Sequence, residues 1–234
     1  MRLLSETLQN QRYFGRGIIV GRAPKSPHVF LAYFLMGRSA QSQNRFFSLE
    51  GKNLQIAFVD PQSVADPSLI FYPPIVQQNN HIIITNGSQT QILQQSLLSG
   101  QDFQHALNQQ SFEPDSPHFT PRISALIHLQ PQNFSYQMGL VKNIQGTCAR
   151  FSFNYESASG VGHFLHTYNH DANPLPSFEG EPKPIVLPST LEELGNTLWE
   201  GLDLEYKIAL CVQSVHLDTH QVQTYIYNKY SKDC

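Results

Sequence analysis

Roughly ten strand-like runs and two groups of helical segments, not strictly alternating, predict an α+β fold with mainly antiparallel sheets. Three observations carry that expectation. Bulky apolar runs such as Val29-Phe-Leu-Ala-Tyr-Phe-Leu-Met36 and His81-Ile-Ile-Ile-Thr85 are bounded by Gly, Pro and Asn, the punctuation of strands joined by turns. The two groups of helical periodicity are 88–110 and the stretch that begins at Thr190, beside a short leading segment. At 234 residues the chain is near the upper size of one domain, and no repeat or flexible linker divides it. Residues 1–234 are therefore read as a single domain.

In order, 1–13 reads as a short helix or a lead-in, with Leu3, Leu4 and Leu8 on one side. Gly15 to Val20, within Phe14-Gly-Arg-Gly-Ile-Ile-Val-Gly21, reads as a strand. A turn with Pro24, Ser26 and Pro27 joins it to Val29–Met36, a hairpin signal. Gly37-Arg38-Ser39-Ala40-Gln41-Ser42-Gln43-Asn44-Arg45 follows as a polar loop, and Gln55 to Val59 is a short strand. Asp66 to Pro74 reads as irregular, because Pro73 and Pro74 remove backbone donors and bar a central strand. His81–Thr85 is a buried strand closed by Asn86-Gly87. Ser88 to Gln110 is helical, with Ile92, Leu93 and Leu97 on one face, and Gly100 divides it.

Phe112 to Ile123 is a proline-rich connector that enters a strand over Ile123–Leu129. Further strands are expected at 136–142, 148–155 and 160–168, and Asn173 to Pro184 is a second proline-rich loop. Thr190 starts a helix, with Glu193 placed for a capping box and Leu191, Leu194 and Leu198 as its apolar stripe. Strands near 205–214 and 220–228 close the chain.

The composition, 40% hydrophobic and 14% charged, is that of a globular protein able to bury a full core. A net charge of -3 and a pI near 6.3 argue against nucleic acid as partner, since no basic stripe is available to neutralise many phosphates. A small anionic ligand needs only a few local arginines. Cys148, Cys211 and Cys234 form an odd set without metal-type spacing, which points to reduced thiols and a cytoplasmic setting. The N-terminus carries no apolar run of signal-peptide length, and no window approaches a membrane span.

Three stretches could carry chemistry. Arg38 and Arg45 lie on one polar loop at a strand end, and guanidinium forks grip planar oxyanions in two-point fashion. A solvated turn with two surface arginines is the plain alternative. In Glu113-Pro-Asp-Ser-Pro-His-Phe-Thr-Pro-Arg122, three prolines stiffen a loop that carries ionisable groups, a good way to fix acid–base geometry. Its plain alternative is a structural connector. In Gly160-Val-Gly-His-Phe-Leu-His-Thr-Tyr168 with His170 and Asp171, a metal site is discounted, because His163 and His166 on one strand point to opposite faces. No nucleophile elbow, P-loop or dinucleotide fingerprint is present.

These stretches together resemble the archaeal-type inosine monophosphate (IMP) cyclohydrolase family and its bacterial IMP cyclohydrolase-like relatives. The residues that match are Gly15-Arg-Gly-Ile-Ile-Val-Gly21, Ala32-Tyr33-Phe34, Gly37-Arg38-Ser39, Asn44-Arg45 and Asp66-Pro-Ser-Leu-Ile-Phe-Tyr72. They continue with Asn86-Gly87, Glu113-Pro-Asp-Ser-Pro, Phe119-Thr-Pro-Arg-Ile123, His166-Thr-Tyr168, Asp171 and Pro174-Leu-Pro-Ser-Phe-Glu-Gly-Glu-Pro182. The likeness covers nearly the whole chain, and its motifs are long.

The resemblance implies a four-layer αββα sandwich like that of the N-terminal-nucleophile hydrolases. Autocleavage is not expected, since Phe14-Gly15-Arg16 places no Ser, Thr or Cys to become an N-terminal nucleophile. The implied activity closes the purine ring of 5-formamidoimidazole-4-carboxamide ribonucleotide to give IMP and water, with no metal or redox cofactor. The resemblance assigns Tyr72 and Glu113 as an acid–base pair. Arg38 and Arg45 are to hold the phosphate or stabilise the oxyanion. Asn44 orients the ligand, Thr120 and Arg122 contact it or fix their loop, and Tyr168 and Asp171 shape the base pocket. The implied partner is a small purine nucleotide, without nucleic acid or membrane, and a homo-oligomer is compatible with the sequence. Two other functions stay open: a purine-nucleotide-binding protein that lacks the reaction, and an amidohydrolase acting on another amide.

Overall fold

The computed structural model describes residues 2–9, 11–63 and 72–230. The chain starts with β1 (Arg2–Leu3) and α1 (Leu4–Gln9), then forms the expected hairpin of β2 (Arg16–Arg22) and β3 (His28–Met36). A one-turn helix, α2 (Ala40–Gln43), interrupts the polar loop. Strands β4 (Phe46–Glu50) and β5 (Asn53–Ala57) make a second hairpin. Next come β6 (Ile75–Gln78), β7 (His81–Thr85), α3 (Gln89–Leu98) and α4 (Phe103–Asn108). A meander of β8 (Arg122–Gln130), β9 (Asn133–Ile144) and β10 (Thr147–Glu156) follows. The remainder is β11 (Val161–His166), β12 (Lys183–Val186), α5 (Leu191–Gly201), β13 (Lys207–His216) and β14 (Val222–Asn228).

The strands form two seven-stranded sheets, ordered β1-β12-β11-β2-β3-β13-β14 and β10-β9-β8-β7-β6-β5-β4. Every pairing is antiparallel except that of β1 with β12. The fold is α+β, as expected. Strand β3 explains the packing. Val29, Leu31, Tyr33 and Leu35 join a core between the sheets, while Phe30, Ala32, Phe34 and Met36 join a second core with Leu4 and Leu8 of α1 and Leu194 and Leu198 of α5. A strand covered on both sides loses its alternation and reads as a continuous apolar run. Opening such a site with Leu35→Ala would cost about 2–5 kcal/mol. The outer face of the second sheet has its own cluster, where Leu93 of α3 and Phe103 and Leu107 of α4 cover Ile83, Leu126 and Val141.

Several elements follow their sequence signals. Gly100, at φ +70°, separates α3 from α4. Thr190 caps α5 by accepting from the Glu193 N–H at 3.1 Å, and Leu191, Leu194 and Leu198 face the core. In α1 only Leu4 and Leu8 of the three leucines are buried, and Leu3 is exposed. Strands β4, β6 and β12 were not anticipated. They are four or five residues long with mixed side chains, so their pairing partners rather than their own pattern define them. Pro184 sits in β12 because it pairs with His163 on one side only, one residue short of the Arg2–Ile185 contact with β1. The expected irregular segment continues as Tyr72-Pro73-Pro74 without regular structure, while Asp66–Phe71 lie outside the described residues.

Candidate active site

Strand alternation places an arginine between the sheets. Arg16 shares a face with Ile18 and Val20, which belong to the inter-sheet core. It opens β2 at the end of the sandwich where β3 stops at Met36, β11 stops at His166 and β8 begins at Arg122. Protein encloses Arg16, and its Nε has no hydrogen-bond partner, yet the side chain keeps solvent-accessible surface. That combination describes a cation on the wall of a cleft. Burial acts to lower its pKa, but Tyr13, Tyr72, Tyr168 and Glu113 together hold it above the usual arginine value.

Arg45, 3% exposed, follows α2 and donates its Nε–H to the Ser42 carbonyl at 2.8 Å. Burial first, then the like charge of Arg16, lower it to about 10, so it remains a cation at neutral pH. Tyr33 and Tyr72 are both buried, with hydroxyl oxygens 2.9 Å apart. Burial raises both. Arg16 and Arg45 act against that rise in each. Tyr72 is thus a neutral hydroxyl at physiological pH, able to donate a proton. The pair shares one hydrogen bond, so one of its two protons is left for a ligand.

Glu113 closes the group. Its Oε1 accepts from Arg122 Nη1 at 2.7 Å. Burial raises the Glu113 pKa, opposed by Arg122 and then by Arg16. A Cβ on Gly87 would collide with the same Arg122 nitrogen, so Gly87 leaves the room this ion pair needs. Thr120 ties the connector down. Its N–H donates to Asp115 Oδ1 at 2.6 Å, its hydroxyl donates to Asp115 Oδ2, and its oxygen lies 2.6 Å from the Tyr168 hydroxyl. The single Thr120 proton goes to Asp115, so Tyr168 donates to Thr120. Tyr168 stacks on Tyr13 with ring centres 5.8 Å apart. Gly15, at φ +75°, permits this approach, since a side chain there would strike Thr167 and the Tyr168 ring.

Of the residues singled out from sequence, Arg45, Tyr72, Glu113, Arg122, Thr120 and Tyr168 gather at this end of the sandwich. Arg38 and Asp171 form a pair on the rim at 3.0 Å, with Arg38 also donating to the Ala172 carbonyl and lying over the Tyr13 ring. Asn44 clamps the Asp60 backbone at both ends, donating to its carbonyl at 2.7 Å and accepting from its N–H at 2.6 Å. Arg38 and Asn44 line a shallow pocket of about 360 Å³ with Val59 and Tyr230. Two larger hollows, about 420 and 470 Å³, lie elsewhere and touch none of Arg16, Arg45, Tyr72 or Glu113. His163 and His166 do face opposite ways: His163 meets Tyr136 of the inter-sheet core, and His166 packs against Phe14 and Phe164.

Sequence reasoning missed Arg16, Tyr33, Tyr13 and the bracing role of Asp115. The signal for Arg16 was available as a charged residue in phase with Ile18 and Val20 on a buried face. Tyr33 carried no such mark, because a tyrosine inside an apolar strand reads as core.

The arrangement is a cluster of two buried cations, a shared phenol pair and a carboxylate of raised pKa. It can hold an anion, donate a proton from Tyr72 and accept one at Glu113. A search of curated proteins finds no match to the chain. The family described as IMP cyclohydrolase-like protein matches residues 13–220, a span that includes the whole cluster. The chain therefore belongs to the IMP cyclohydrolase-like protein family.

Proposed function

We propose that this protein is an IMP cyclohydrolase, closing 5-formamidoimidazole-4-carboxamide ribonucleotide to IMP. The observation that carries the proposal is the gathering of Arg16, Arg45, Tyr72 and Glu113 at one end of the inter-sheet layer of a chain from this family. Residues 1–234 then form one cyclohydrolase-like domain. Helices outside two stacked sheets support an αββα sandwich of the N-terminal-nucleophile hydrolase type.

The reaction sets three requirements. The carboxamide nitrogen is a poor nucleophile and must lose a proton as it bonds to the formyl carbon. In the proposed mechanism Glu113 takes that proton, its raised pKa making it a stronger base than an ordinary carboxylate. The formyl oxygen gains negative charge, which the buried arginines stabilise where water is excluded. That oxygen then leaves as water: Tyr72, with Tyr33 as its hydrogen-bond partner, gives it one proton and Glu113 returns the other, while the formamido nitrogen loses its own proton as the C=N bond forms and so restores the Tyr72 phenol. Both reacting groups already sit on one imidazole ring, so holding them coplanar supplies much of the rate. Tyr13 and Tyr168 offer a stacked aromatic wall for that ring. Free Cys148 and Cys211 fit a reducing, cytoplasmic setting.

The test follows turnover of the formamido substrate by purine absorbance in wild type, Glu113→Gln and Tyr72→Phe. Losses of about 100-fold or more in kcat for each are expected of a general base and a general acid. Full rate at saturating substrate in both variants would refute the assignment. Absent turnover in wild type, with IMP still raising the melting temperature, would leave a binding protein instead.

A further inference from the structure

The sandwich has one long unprotected flank. On the far side, β14 and β4 are bridged, with the Phe47 N–H donating to Asn228 Oδ1 at 2.8 Å and Asn228 Nδ2 donating to the Phe47 carbonyl at 3.0 Å. On the near side the first sheet ends in β1, two residues long. The second sheet ends in β10, ten residues in unbroken register with β9 and with no other strand beside it. Among the described residues, no backbone hydrogen bond from another element reaches the outer side of β10. Protected edges carry charged side chains, above all Lys, or Pro, a bulge or a short strand. Thr147-Cys-Ala-Arg-Phe-Ser-Phe-Asn-Tyr-Glu156 has no Lys, Pro or bulge, its two charges are of opposite sign, and Phe151 is 39% exposed.

We propose that β10 pairs with β10 of a second copy of this chain, antiparallel across a two-fold axis at Phe153. The strand's own order argues for that occupant and that register. With Phe153 opposite Phe153, Arg150 falls opposite Glu156, Phe151 opposite Tyr155, and Ser152 opposite Asn154. All three pairings join residues of like parity, so faces match: Arg150 and Glu156 lie on the helix-covered side, and Phe151, Phe153 and Tyr155 on the inter-sheet side. Arg150 and Glu156 are the strand's only charges, and among the described residues neither has an ion-pair partner. The two-fold gives each of them one, twice per dimer, together with cross-strand aromatic pairs. Arg150 meanwhile donates to the Leu107 and Gln110 carbonyls at the end of α4, which fixes its guanidinium beside the edge. The dimer is closed, with one continuous sheet running through both copies.

The test is sedimentation velocity across a concentration series, with circular dichroism to confirm folding. Wild type is expected to dimerise reversibly. Arg150→Glu and Glu156→Arg should each be monomeric, because each sets like charges opposite one another twice. Mixed in equal amounts, the two variants should recover dimer, since every charged position then meets its opposite. If Arg150→Glu unfolds through loss of its bonds to α4, Glu156→Gln and Glu156→Arg replace it, with progressively less dimer expected. Wild type that stays monomeric at every concentration would overturn the proposal. A dimer that survives Glu156→Arg unchanged, or a mixture of folded variants that recovers none, would overturn it as well.

Discussion

The Tyr33 and Tyr72 hydroxyls meet at 2.9 Å on the buried side of β3, within the electrostatic reach of Arg16 and Arg45. In the proposed mechanism this contact makes Tyr33 a positioning residue for Tyr72. Tyr33→Phe removes one hydrogen bond, about tenfold in rate for a contact worth near 1.4 kcal/mol. Tyr72→Phe removes the donor itself and should cost far more. Measuring kcat and KM separately decides it: Tyr33→Phe should lower kcat with KM nearly unchanged, whereas a merely structural tyrosine would lower thermal stability and leave kcat alone.

As the proposed base, Glu113 predicts the acid limb of the rate profile. Burial raises its pKa, so the ionised base is lost as pH falls through a value above the ordinary glutamate range. Arg122 is the largest influence in the opposite direction. Arg122→Gln should therefore move the acid limb to higher pH, and Gly87→Ala should do the same by displacing the guanidinium. A limb that stays in place in both variants would mean that another group titrates. Because burial outweighs its ion pair, the stability effect has the opposite sign to that of a carboxylate whose pKa is lowered on folding. Between the unfolded and folded pKa values the native state holds the extra proton, so this residue's contribution to stability falls as pH rises.

How much was visible beforehand depends on what each residue answers to. The β2–β3 hairpin, β7, the break at Gly100 and the capped helix α5 are set by local pattern and turn chemistry, and they were legible. Strands β4, β6 and β12 are set by neighbours far along the chain and were not. At the site, Tyr72, Glu113 and Arg45 stood out through their motifs, while Arg16 was hidden inside a strand between two glycines. Arg38 looked like an anion grip on the loop, yet its charge already faces Asp171.

His166 should govern acid stability. It is fully buried, donates Nδ1–H to the Tyr168 carbonyl at 2.9 Å, and leaves Nε2 without a partner. Burial, then Lys183, lower its pKa to about 3. The unfolded chain takes up the proton first, so stability is lost as pH falls from the unfolded histidine range through about 3. The loss is on the order of a few kcal/mol. His166→Phe, which fits the surrounding Phe14, Phe164 and Phe178 rings, should flatten the melting temperature between pH 6.5 and pH 4, from the ordinary histidine range down to a point still above the pKa of the buried ring.

The rim pair should tune affinity rather than chemistry. Arg38 and Asp171 are each partly exposed, so Asp171→Asn should cost no more than about 1 kcal/mol of stability. Arg38→Gln should raise KM with kcat preserved, and the effect should shrink with added salt. A kcat loss matching that of Tyr72→Phe would place Arg38 among the reacting groups instead.

The Tyr168–Thr120–Asp115 chain has a mechanical meaning. Tyr168 hangs from the end of β11 in one sheet, while Thr120 and Asp115 lead into β8 of the other. Three side chains thus rivet the two plates together at this end of the sandwich and set the gap between them. Cutting the rivet with Thr120→Val would leave each plate whole but let the jaws drift, and a substrate that must be held flat would feel that looseness before the fold did.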